Sequence, residues 1–235
     1  MANIVITGAS SGIGFEAALA LANTSTNRIV ALARSQDGLQ KLQEIAGQLN
    51  PKATVHVLSF DIIYGDYENV LLPYVVEKLG QVDVLINNAG LLINKPFEET
   101  TEADFSEMLQ SNFMGHVNMI QHLLPLMPPD SHIVNIGSMG GFQGSLKFPG
   151  LAAYSASKAA MHTLTECLAL EFIDRAIKIN CLALGSAQTE MLEKAFPQYR
   201  SPVAAFEMGE YIADFALTGH RFFNGKVLPV AVTTP

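Results

Sequence analysis

Short, nearly unbroken apolar runs punctuate the chain, and longer mixed stretches separate them. The runs Asn3–Thr7, Arg28–Ala33, Thr54–Phe60, Val82–Asn87, His132–Gly137, Ile177–Leu184 and Lys226–Val230 read as β-strands. Strict apolar–polar alternation would mark a sheet with one wet face, whereas continuity marks parallel strands covered on both faces. Between the runs, Gly14–Ala22, Ser35–Leu49, Asp66–Leu79, Glu102–Leu126 and Ala152–Arg175 read as helices. Strand and helix alternating at this spacing predict right-handed crossovers and an α/β doubly wound sheet of about seven parallel strands, with helices on both faces. Met127–Asp130 and Phe196–Pro202 carry prolines and read as loops within one domain spanning residues 1–235.

Composition narrows the function classes. Hydrophobic residues make up 49% of the 235 and charged residues 15%, enough apolar surface to offset the entropy of ordering. Runs such as Val82–Ile86 and Ile133–Ile136 are strand-length and fall well short of the roughly 20 residues that span a bilayer. No secretory pattern is visible at the N-terminus, and a membrane role is not expected. Fourteen basic against 22 acidic residues give a net charge of −8, with no basic stripe, which argues against nucleic acid as a partner. Cys167 and Cys181 fit free thiols in a reducing compartment, so a cytoplasmic location is expected. The six histidines are scattered without zinc-ligand spacing, and no metal is expected.

The first predicted strand runs into Thr7-Gly8-Ala9-Ser10-Ser11-Gly12-Ile13-Gly14 and then into a helix. Glycines there permit a tight turn and let backbone N–H groups approach a pyrophosphate, while the helix N-terminus adds partial positive charge. The position, between the first strand and the first helix of a repeating α/β pattern, is the context such a loop requires.

The spacing T-G-x-x-x-G-x-G resembles the short-chain dehydrogenase/reductase family, and the resemblance recurs along nearly the whole chain. Asn87-Asn88-Ala89-Gly90 closes the fourth strand, Asn112 lies in an N-x-x-G setting that ends at Gly115, Ser138 follows the fifth strand, and Tyr154-Ser155-Ala156-Ser157-Lys158 opens a helix. With six tyrosines and nine lysines, a chance Tyr-x-x-x-Lys is expected about 0.2 times, so the ordered set is far more specific than that motif alone. The resemblance implies a single-domain Rossmann-like fold and an oxidoreductase that moves a hydride between a nicotinamide cofactor and a carbonyl or secondary alcohol. It implies cofactor contacts from Gly8, Ser10, Ser11, Gly12, Ile13, Gly14, Asp61, Ile62, Asn88, Ala89, Gly90, Tyr154, Lys158, Gly185, Ala187 and Thr189.

The end of the second strand bears on which cofactor. Folds that select NAD place a carboxylate there for the ribose hydroxyls; this chain has Ala33 and then Arg34. A guanidinium can bind the extra phosphate of NADP, so NADP(H) is favoured over NAD(H). The glycine loop carries Ser10 and Ser11 where some family members place a second basic residue.

The catalytic set implied by the resemblance is Asn112, Ser138, Tyr154 and Lys158. Tyr154 and Lys158 lie one helical turn apart and share a face. A nearby ammonium is expected to lower the tyrosine pKa from about 10, so that the phenol serves as general acid or base. Ser138 is expected to hydrogen-bond the substrate oxygen. Asn112 resembles the asparagine that holds a water leading from the lysine to solvent.

Three features depart from the family pattern or stay open. Leu184 stands where a proline is usual after the sixth strand. The glycine-rich stretch 139–153 fits either a pocket wall or a subunit contact. A short lid over the substrate is expected around 186–202. The resemblance implies a homodimer or homotetramer, through the long helices Glu102–Leu126 and Ala152–Arg175. Acyl-carrier-protein thioesters, as in 3-oxoacyl reductases, would require a basic docking patch, for which only Lys147, Lys194 and Arg200 are candidates. The competing function is a catalytically silent NADP(H)-binding sensor or regulatory protein, which could have lost Tyr154 or Lys158; this chain keeps both.

Overall fold

The computed structural model describes residues 2–23 and 27–232. Residues 1, 24–26 and 233–235 of the expected domain lie outside the described residues. The strands are β1 (Asn3–Thr7), β2 (Arg28–Ala33), β3 (Thr54–Ser59), β4 (Val84–Asn87), β5 (His132–Ser138), β6 (Lys178–Leu184) and β7 (Val227–Val230). They form one all-parallel sheet in the order β3-β2-β1-β4-β5-β6-β7. In the register, Ile4 of β1 stands opposite Ile29 of β2 and Val84 of β4.

The helices are α1 (Gly12–Asn23), α2 (Gln36–Leu49), α3 (Leu72–Lys78), α4 (Glu102–Leu109), α5 (Gly115–Leu123), α6 (Ala152–Glu171), α7 (Glu190–Ala195) and α8 (Ala205–Thr218). Every residue of β1 is buried, as a parallel strand covered on both faces requires. Ile4 and Ile6 face a core closed by Ala17 and Leu21 of α1, Leu39 and Leu42 of α2, and Ile212 and Phe215 of α8. Val5 faces the opposite core, closed by Val75 of α3, Met119 and Leu123 of α5, and Ala169 of α6. Successive strand residues point to opposite faces, so one apolar run supplies both cores.

Several expected bounds change. The single helix expected over Glu102–Leu126 is α4, a π-helical turn at Gln110–Met114, α5 and a 3₁₀ turn at Leu124–Leu126. A π turn also precedes α3, at Tyr67–Leu71. The helix expected to reach Arg175 ends at Glu171 and tightens into a 3₁₀ turn. Helix α8 was not among the expected helices. It supplies the crossover that parallel β6 and β7 need, and it packs on α1 so closely that a Cβ at Gly209 would lie 2.6 Å from Glu16 Cβ. The edge strand β7 carries Pro229, which has no N–H to offer an incoming strand.

At the base of the sheet, buried His132 binds three elements together. Its Nδ1 donates to the Ala216 carbonyl of α8 at 2.9 Å, which leaves Nε2 to accept from the Asn180 amide of β6 at 3.0 Å. Burial, with a smaller contribution from His220, lowers its pKa from 6.5 to about 4. The unfolded chain therefore takes up a proton between those values that the native fold refuses. Unfolding free energy should fall as the pH drops from about 6.5 to about 4, by about 3 kcal/mol from His132 alone. Urea denaturation across that range measures it, and His132→Gln should flatten the slope.

Among the described residues, no helix is long and apolar enough to cross a membrane, and no group of three His, Cys, Asp or Glu side chains is placed to hold a metal.

Candidate active site

The C-terminal ends of the strands line up the motifs along one edge of the sheet. In spatial order they are Asp61 after β3, Arg34 after β2, the glycine loop after β1, Asn88–Gly90 after β4, Ser138 ending β5, and Gly185 after β6. The sheet changes winding direction between β1 and β4, where open α/β sheets place their ligand crevice. A cleft of about 420 Å³ opens there. Gly8, Ser10, Ser11, Gly12, Ile13, Gly14, Arg34, Asp61, Ile62, Asn88, Ala89, Gly90, Ser138, Tyr154, Lys158, Gly185 and Thr189 all line it. Two expected site residues do not. Ala187 packs into the core beneath α8, and Asn112 is fully buried behind the cleft wall.

The glycines of the loop serve different ends. Gly8 has φ +69°, and a Cβ on it would lie 2.7 Å from Ala89 Cα. A Cβ on Gly14 would lie 2.5 Å from the Gly8 carbonyl oxygen and strike the Asn88 amide. These two glycines let the β1 loop close on the β4 loop. Gly12, with φ +58°, faces Thr189 across the opening, and the N-terminus of α1 borders the cleft from Gly12 to Gly14. Backbone N–H groups and helix dipole thus meet at the middle of the crevice.

Asn88 and Thr7 hold the two loops together. The Asn88 amide donates to the Thr7 and Gly8 carbonyls at 3.0 and 3.2 Å, and the Thr7 hydroxyl accepts from the Asn88 and Ala89 N–H groups, both at 3.0 Å. The side chain of Asn88 is therefore committed to the scaffold. At one end of the cleft, Arg34 is exposed beside Ser35, which caps α2 by accepting from the Gly38 N–H. Asp61 accepts from the Ile63 N–H at 2.8 Å.

At the other end stand Ser138, Tyr154 and Lys158. The Ser138 hydroxyl oxygen accepts from the Gly140 N–H at 3.1 Å, which leaves its O–H free to donate. Burial pushes the Tyr154 phenol above its ordinary pKa, and its hydrogen bond with Ser138 acts in the opposite direction. The expected lowering by Lys158 is absent. The ammonium lies 6.0 Å from the tyrosine ring centroid and donates instead to the Ile136 carbonyl at 2.8 Å. Lys158 is only 4% exposed, and burial lowers its own pKa from 10.5 to about 8. Its surroundings supply no counter-charge: burial raises the Cys181 thiol to about 12 and holds His116 near 3 and His162 near 4.

Asn112 sits in the π turn between α4 and α5, a distortion that often marks functional positions. Its amide nitrogen donates to the Leu91 carbonyl at 2.9 Å and to Ser157 Oγ at 3.0 Å, and its Oδ1 accepts from the Leu91 N–H at 2.7 Å. Sequence reasoning missed Leu91, Ser111 and Glu190, which also line the cleft. All three are direct neighbours of recognised site residues, Gly90, Asn112 and Thr189, and adjacency is the signal that could have found them. The expected lid segment contains α7, capped by Thr189, with Glu190 and Met191 bordering the cleft.

Comparison with known proteins agrees with this arrangement. The short chain dehydrogenase family model matches residues 2–200. An uncharacterized oxidoreductase of Staphylococcus epidermidis is 32% identical over 222 residues, 94% of this chain and 92% of that protein. A dehydrogenase/reductase of Sinorhizobium meliloti superposes with a TM-score of 0.86 at 27% identity, covering 98% of this chain and 93% of that one. A short chain dehydrogenase of Shigella flexneri, solved in complex with NADP, gives a TM-score of 0.85 at 26% identity, covering 97% and 96%. The chain belongs to the short chain dehydrogenase family and is an oxidoreductase of that family.

Proposed function

We propose that the chain reduces a ketone or aldehyde with NADPH, and in reverse oxidises the corresponding secondary or primary alcohol with NADP⁺. The observation that carries this reading is the convergence of Ser138, Tyr154 and Lys158 at one end of a cleft whose other end holds Arg34 and Ser35. The bound nicotinamide would supply or accept the hydride. The glycine loop and the α1 N-terminus would hold the pyrophosphate, and Arg34 the 2′-phosphate. Tyr154, kept protonated by burial, donates its proton to the substrate oxygen as negative charge develops there. Ser138 donates a second hydrogen bond to the same oxygen.

Lys158 and Asn112 complete the proton path. The Gly90 backbone lies against both the Asn112 amide and the Lys158 ammonium. Asn112 also positions α6 through Ser157. The intact set gives no support to a silent sensor. The same reading places the protein in the cytoplasm, as a homodimer or homotetramer that acts on a small molecule.

The test is a fluorescence titration with NADPH and NADH, followed by turnover on a panel of ketones, aldehydes and diketones. Arg34→Ala should raise the NADPH dissociation constant by about 10- to 100-fold, the value of a charge-assisted phosphate contact, and change that of NADH by less than about threefold. Equal effects on both cofactors would remove Arg34 from the phosphate site.

A further inference from the structure

We infer that the mouth of this cleft selects a neutral carbonyl substrate bearing an apolar or aromatic group, with Phe148 and Phe196 as its specificity wall. The inference rests on the reductase reading and adds the substrate class. Three segments that border the cleft at Leu91, Tyr154 and Met191 meet one another within a few residues of it: the loop after β4, the glycine-rich stretch before α6, and the end of α7. The Asn94 amide donates to the Ala195 carbonyl at 2.7 Å, and the Lys95 N–H donates to the Gly150 carbonyl at 3.0 Å. Across that junction the rings of Phe148 and Phe196 meet edge to face, 6.4 Å apart. Phe148 is 56% exposed, so an apolar occupant would bury surface that now faces water. Met191, at the start of α7, extends the apolar lining into the cleft. These contacts favour the pocket-wall role for the stretch 139–153.

The charges around the mouth point the same way. Lys95 pairs with Asp104 at 2.9 Å, Arg200 with Glu193 at 2.9 Å and Lys194 with Glu190 at 3.7 Å. Lys147 turns its ammonium into its own loop, onto the Phe142 carbonyl and Ser145 Oγ. Glu190 itself borders the cleft. A substrate carboxylate or phosphate would meet cations that already have partners, Lys194 and Arg200 in exposed pairs, and the Glu190 carboxylate at the border of the cleft, which disfavours it. The acidic docking face of a carrier protein would find no basic patch, and the chain's net charge of −8 adds repulsion at long range.

The experiment compares three probes on the cofactor-loaded protein: phenyl methyl ketone, its para-carboxylate and an alkyl methyl ketone. It reads kcat/KM together with dissociation constants by calorimetry. The neutral aryl ketone should exceed the carboxylate by about 100-fold or more, in turnover or in binding. Phe148→Ala and Phe196→Ala should each cut the aryl-over-alkyl ratio by about tenfold. Glu193→Gln, which frees Arg200, should raise the carboxylate relative to the neutral ketone by about threefold. Equal or better use of the carboxylate, or of an acyl-carrier-protein thioester, overturns the inference and leaves the reductase standing. So do unchanged ratios in both phenylalanine variants, or calorimetry in which the aryl ketone does not bind. Failure to bind either NADPH or NADH overturns the reductase reading itself, and this inference with it.

Discussion

Tyr154→Phe should keep the fold and the cofactor affinity while losing carbonyl reduction by about 10²- to 10⁴-fold, the usual worth of a positioned proton donor. The substitution removes one oxygen and leaves the ring to pack as before, so circular dichroism and NADPH titration should match the unaltered chain. The loss should fall on kcat, because the phenol acts on charge that appears only as the carbonyl is reduced. The raised pKa of Tyr154 also sets a direction. A phenol held in its protonated form is ready to give a proton and slow to take one. Reduction should therefore hold its rate across neutral pH, and alcohol oxidation should climb as the pH rises. A Phe variant that keeps more than a tenth of the activity would mean that another group supplies the proton.

The parts of this site legible in the sequence are those that local chemistry determines. Strand β1 reads from five consecutive buried positions, and the glycine loop from residues that tolerate φ values of +58° and +69°. Tyr154 and Lys158 read from a single helical turn. What stayed hidden depends on contacts between distant segments. The π turn at Gln110–Met114 is marked by no proline or glycine before Gly115 and continues directly into α5, so Glu102–Leu126 reads as one helix. Helix α8 opens at Ala204, which has no side-chain oxygen to cap it; the cap comes from Glu207, which accepts from the Ala204 N–H at 2.8 Å. The pairing of Arg200 with Glu193, or the meeting of Phe148 with Phe196, has no sequence signature at all. Asn88 is the instructive case: its motif suggests a ligand contact, and its side chain is spent on joining the β1 and β4 loops.

Lys158→Met should abolish turnover and at the same time stabilise the cofactor-free protein at neutral pH. The amine is buried at 4% exposure, donates one hydrogen bond, to Ile136, and lies near groups that burial keeps uncharged. Its pKa falls from 10.5 in the unfolded chain to about 8 in the fold. Between those values the unfolded chain holds a proton that the native protein releases, so stability rises with pH across that window. Below about pH 8 the native protein carries the full cost of a buried ammonium, on the order of 3 kcal/mol. Methionine fills the same volume without a charge and removes that cost. The variant should accordingly unfold at higher urea than the unaltered chain at pH 7, and the gap should close toward pH 10. Under the proposed function a bound cofactor should narrow it too, because the ammonium would then have hydroxyls of the cofactor to bind. Equal stability of the two chains at pH 7, with no closing of a gap at higher pH, would mean that the fold leaves the Lys158 pKa near its ordinary value and houses the ammonium without cost. The expected result instead makes Lys158 a residue kept at the expense of the fold, a cost that its place beside Tyr154 explains.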